Sequence, residues 1–118
     1  MDTDQKIYND VLKEIADACS LLNTFEKRGT DKTYFEVVLY NKEIDKWVKT
    51  ISGFLGTAVK PPSAKPTKDD QRITKDLGGI FANQTLFRRD FDNAAIIAML
   101  WPWSDGAHTT LKIALLKK

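Results

Sequence analysis

The chain has 118 residues, of which 42% are hydrophobic and 29% charged, a balance typical of a folded globular protein rather than a disordered one. That length suits one domain with one core, burying roughly two-thirds of the surface of the unfolded chain. No apolar run approaches the ~20 residues that span a bilayer. The ~7–15 apolar residues behind a basic start that mark a secretory signal are also missing, so no membrane role is expected.

A single cysteine cannot form an internal disulfide, which suits a reducing compartment, and a cytoplasmic location is the expectation. The net charge of +2 hides an uneven split. Residues 1–31 carry seven Asp/Glu against four Lys/Arg, whereas residues 60–118 carry ten Lys/Arg against six Asp/Glu. Such a split can steer an acidic partner toward the C-terminal half, or simply reflect uneven solvated faces.

Ile7, Val11, Ile15, Ala18, Leu22 and Phe25 recur at helical spacing and predict a helix over 3–28, with Gly29 placed to end it. Residues 33–40, rich in β-branched and aromatic side chains, read as a strand at a sheet edge. A continuous helix over 31–55 is the rival reading, because Tyr34, Val37, Ile44, Val48, Ile51 and Leu55 also fit a helical stripe. With 33–40 as a strand, Asn41 caps a helix over 42–55 that turns Ile44, Val48, Ile51 and Leu55 inward. Residues 57–66 hold three of the four prolines and form a loop. The run Thr67-Lys68-Asp69-Asp70 resembles a capping box, opening a short helix that carries Ile73 and Leu77 and ends at Gly78-Gly79.

The last third reads as a β-meander of strands 84–91, 94–103 and 107–117, turning at Asp92-Asn93 and Asp105-Gly106. Two-residue turns there set Arg89 opposite Ile96, Phe87 opposite Ala98, Leu100 opposite Leu111 and Ala98 opposite Ile113. One face then carries Phe87, Ile96, Leu100, Ile113 and Leu115 as core, with Arg89 at its rim. The other carries Leu86, Arg88, Ile97, Met99, Trp101, Trp103, His108 and Lys112, apolar in the middle strand and basic beside it. That mixture resembles an interface more than a core.

Motifs for chemistry are weak. Ser104, Asp105 and His108 are triad residue types, but five positions of one turn cannot align nucleophile, base and orienter. One histidine and one cysteine fall short of a zinc site. Asp90 and Asp92 lack the rest of a calcium loop, and Cys19 falls in the apolar stripe as a buried thiol. Gly78-Gly79 follows a helix rather than leading into one, the wrong order for a phosphate cradle. Lys60, Lys65, Lys68 and Lys75 are interleaved with Asp69, Asp70 and Asp76, less basic than a nucleic-acid module.

The expected fold is α+β, with two main helices packed on one face of a three- to four-stranded antiparallel sheet that ends in the meander. No cofactor, metal or catalytic group is expected. The expected function is a small interaction protein whose exposed aromatic sheet face binds a second copy or a small protein partner. A weakly basic nucleic-acid-binding domain using the same face is the alternative. The tryptophans of Trp101-Pro102-Trp103 point to one side and serve either as anchors for a partner or as a cap on the core.

Overall fold

A computed structural model of the chain describes residues 3–31 and 33–117. Helix α1 (Thr3–Cys19) leads to strands β1 (Glu26–Thr30) and β2 (Tyr34–Tyr40), and α2 (Ile44–Leu55) follows a 3-10 turn at Asn41–Glu43. A short α3 (Lys68–Thr74) continues into a second 3-10 turn, Lys75–Leu77, before strands β3 (Thr85–Asp90), β4 (Ala94–Pro102) and β5 (His108–Lys117). The fold is α+β, and its five strands form one antiparallel sheet in the order β1-β2-β5-β4-β3.

The meander register matches the expected pairs: Arg89 opposite Ile96, Phe87 opposite Ala98, Leu100 opposite Leu111 and Ala98 opposite Ile113. Its turns keep that register, with Phe91 N–H donating to Ala94 O and Trp103 N–H to His108 O. The strand over 33–40 also forms, as β2, and the rival helix does not. It is not an edge strand, however, because it lies between β1 and β5.

The expected helix over 3–28 ends at Cys19. Leu21 and Leu22 N–H groups bond back to Ala18 and Cys19 in tight turns, then Phe25 N–H donates to Val38 O and starts β1. Residues Asn23 and Thr24 favour turns over helix interiors, which separates Leu22 and Phe25 from the stripe they extend. Ile7 is exposed, and the buried stripe is Tyr8, Val11, Leu12, Ile15 and Cys19. Burial pushes the Cys19 thiol up to about 12.

Helices α1 and α2 cover one face, here called inner, where Leu39, Phe87, Ile96, Leu100, Leu111 and Ile113 pack against Ile15, Trp47 and Ile51. Arg89 reaches from the rim of this face and donates to Phe54 O at 3.1 Å. The outer face has a second, smaller core of Ile80, Leu86, Ile97, Met99 and Ala114, with Ile73, Leu77 and Trp101 packed against it. It is the chain's own segment 68–80 that lies over these residues. The capping box at its start is complete: Thr67 Oγ1 accepts from Asp70 N–H, and Asp70 Oδ2 accepts from Thr67 N–H.

The connection from α2 to α3 passes the edge of β3. Val59 and Lys60 N–H groups donate to Leu86 O, and Leu86 N–H donates to Lys60 O. The Lys60 side chain is buried, and its ammonium donates to Pro61 O at 3.1 Å, Ala82 O at 3.0 Å and Gln84 O at 2.5 Å. Burial pulls its pKa below the ordinary lysine value, with the Asp70 carboxylate opposing. Three carbonyl acceptors fill the three donors of the ammonium, so its burial leaves no proton unpaired. At the other edge, β1 is short, charged and broken by an irregularity between Lys27 and Gly29. Both edges are thereby poor templates for adding a strand from another chain.

Candidate functional site on the outer sheet face

Segment 68–80 divides the eight residues expected to bind a partner. Leu86, Ile97 and Met99 are fully buried beneath it and belong to the core. The expectation that these three residues are exposed to a partner is corrected here: β4 is apolar toward both faces, and over them the chain supplies both covers. Segment 68–80 is short, but Ile73 of α3, Leu77 of the 3-10 turn and Ile80 beyond it all pack with Leu86, Ile97 and Met99.

Arg88 points to the same side and is taken up internally. Its guanidinium bonds Asp69 Oδ2 at 2.7 Å, tying α3 to the sheet, and Asp90 Oδ1 at 3.1 Å. Although burial works against the charge, the hydrogen bonds to Asp90 and Asp69 hold Arg88 above its ordinary pKa. Asp69, bonded first to Arg72 and then to Arg88, is held below the usual carboxylate value.

Of the remaining four residues, Trp101 and Lys112 lie together at the margin of that cover, and Trp103 and His108 lie together on the half of the outer face beyond it. All four are partly exposed. Cross-strand pairing sets Trp101 beside Thr110, Glu36 beside Lys112, and Tyr40 beside His108. Lys112 Nζ stands 3.6 Å above the Trp101 ring and donates to Leu77 O at 3.2 Å. Burial lowers its pKa, partly offset by Glu36. The Trp101 indole nitrogen is buried with no acceptor among the described residues.

Around Trp103 the rings form a continuous group. Its indole N–H donates to Thr110 Oγ1 at 2.8 Å. Its ring lies 5.2 Å from that of His108 and edge-on to Phe25 at 6.2 Å. Phe25 also packs on His108 at 4.1 Å and edge-on to Tyr40 at 5.7 Å. Arg28 lies 5.3 Å above Trp103, and Lys42 lies 5.4 Å above Tyr40. Arg28 bonds Glu26 at 2.5 Å and stands 3.9 Å from Glu36, which also accepts from the Tyr34 hydroxyl.

Phe25 and Arg28 were not legible as site residues, because a helix over 3–28 places them away from the sheet. Only the pairing of β1 with β2 brings them beside Trp103. The helical spacing that includes Phe25 hid it, and in the structure Phe25 is 47% exposed.

The Asp105–His108 pair has a local purpose. Asp105 Oδ1 accepts from the Ala107 and His108 N–H groups, and Oδ2 lies 2.6 Å from His108 Nδ1. These bonds, that to His108 foremost, depress the Asp105 carboxyl. Ser104 makes no hydrogen bond to His108 among the described residues. Among the described residues there is also no cluster of three His, Cys, Asp or Glu side chains that could hold a metal ion. No helix among them is long and apolar enough to cross a membrane. Comparisons with protein-family models, curated proteins and solved structures return no match.

Proposed function

We propose that this chain is a small, non-catalytic cytoplasmic interaction protein that uses the open half of its outer sheet face, and that its first partner is a second copy. The observation that carries this reading is the surface group Phe25, Tyr40, Trp103 and His108, with Arg28 stacked on the indole. Tryptophan, tyrosine and arginine are the residues that dominate protein–protein binding energy when a partner excludes water from them. Both signs of charge surround it: Arg28 stands beside Glu26 and Glu36, Lys112 opposite Glu36, Lys42 over Tyr40, and Asp105 beside His108. A patch with both signs can complement itself across a two-fold axis. Protected sheet edges leave the face as the route for association.

Sedimentation equilibrium over a range of concentrations tests this. A reversible dimer is expected, weakened by Trp103→Ser or Phe25→Ser. A wild-type monomer at every concentration overturns self-association.

The nucleic-acid alternative draws support from the same rings flanked by Arg28, Lys42 and Lys112, since bases stack on aromatic side chains beside cations. The intervening carboxylates place it second. Titration with a single-stranded oligonucleotide at two salt concentrations separates the readings. Affinity falling with a slope of about −0.7 per phosphate contact, and lost in Trp103→Ser, promotes it to first.

A further inference from the structure

A cleft of about 620 Å³ opens on the inner side of the sheet, between α2, the Pro-rich loop and the ends of β3, β4 and β5. Ile44, Val48 and Ser52, one turn apart along α2, form one wall. Phe87 and Leu100 form the floor, and Ala58 and Pro62 of the loop close the far side. Loop 57–66 therefore contributes Thr57, Ala58 and Pro62 to the wall of this cleft.

Its volume falls in the range of pockets that take small organic ligands, roughly 300–1,000 Å³. The lining is unusual for a chain that is 29% charged: every residue of it is neutral. The clefts beside α1 and α3, by contrast, are lined by Lys13 and Asp31, and by Arg72, Asp76, Arg88 and Lys117. An ionised ligand entering the neutral cleft loses water and meets no opposite charge, which is strongly unfavourable.

Polar groups are nevertheless placed around it. The side chains of Thr57, Asn83 and Thr85 make no hydrogen bond among the described residues. The buried Thr109 hydroxyl donates to Asn41 Oδ1 at 2.6 Å, and both residues line the cleft, where the Asn41 amide N–H groups make no hydrogen bond among the described residues. Apolar walls with a few neutral donors and acceptors at the mouth are the features of a site that orients an uncharged amphiphile.

We infer that this cleft binds a small uncharged organic molecule with an apolar ring or chain and a hydroxyl, carbonyl or amide group at one end. The apolar part lies on Val48, Phe87 and Leu100, and the polar end meets Asn41, Asn83 and Thr85. The site is on the opposite side of the sheet from the aromatic patch, so its fate is independent of the association described above.

NMR amide-shift mapping tests it with matched panels of small aromatic and alicyclic compounds: neutral amides and alcohols, carboxylates, and amines. Neutral probes are expected to shift the amides of Val48, Ser52, Thr85, Leu100 and Thr109, binding about tenfold or more tightly than their charged counterparts. Val48→Phe and Ser52→Leu fill the cleft from the α2 wall. Either variant that keeps the wild-type spectrum elsewhere should lose the shifts. The inference is overturned if no neutral probe perturbs these amides at millimolar concentration, if charged probes bind equally well, or if the shifts survive in a folded, filled variant.

Discussion

The Trp101 indole lies so close to the backbone of Gly78 that a Cβ on that glycine would sit 2.6 Å from indole Cη2. Gly78 also has a φ of +101°, which L side chains rarely adopt. The pair joins the end of segment 68–80 to β4, at the boundary between the covered and open halves of the outer face. Gly78→Ala should therefore suffer two penalties, and the neighbouring Gly79→Ala, with a φ of +82° and open space, only the backbone one. Left-handed backbone costs an L-residue about 1–2 kcal/mol, and crowding adds about 1–3 kcal/mol. Denaturant titration of both variants checks this. Equal losses would mean that the indole moves aside freely and does not fix the cover in place.

Met99 and Leu100 are neighbours that point to opposite faces, and both are buried. A sheet with one bare face loses little from a truncation there, whereas one covered twice loses from both. Met99→Ala and Leu100→Ala should each destabilise by about 2–5 kcal/mol. A loss well below ~1 kcal/mol at Met99 would show that segment 68–80 does not stay down in solution.

Asp69 anchors that segment through Arg88 and sits below its ordinary pKa. A depressed carboxyl contributes stability that is present above the unfolded value of about 3.9 and lost as pH falls through the folded value. Asp69→Asn lacks the contribution at every pH. Hydrogen exchange in 68–80 should thus be faster in the variant than in wild type at neutral pH, with the difference vanishing in strong acid. A gap that persists unchanged into acid would assign the effect to something other than the charge.

Cys19 is buried in the inner core, and its thiol is pushed up to about 12. At mildly alkaline pH almost none of it is the reactive thiolate. A thiol reagent should leave the folded protein unmodified and react stoichiometrically once denaturant is added. Rapid labelling of the native state would place Cys19 at the surface and the end of α1 elsewhere.

The meander was legible in full because its signals are local. Two-residue turns at 92–93 and 105–106 determine the register. Once the register is known, the inner core of Phe87, Ile96, Leu100 and Ile113 follows. The capping box at Thr67–Asp70 was equally legible, since both of its hydrogen bonds lie within four residues. What no local signal carries is which distant segment covers a face. Glu26–Thr30 has no apolar pattern, and it becomes a strand only because Val38 and its neighbours offer unpaired backbone groups. Ile97 and Met99 read as apolar in any context. Whether solvent, a partner or residues 68–80 covers them depends on the path of the chain around the β3 edge, which Lys60 holds by pairing with Leu86. Local sequence determined the meander, its register and the faces of its strands; long-range pairing added β1 where the first helix was expected to continue, and burial, a property of the packed chain, decided which faces remained open.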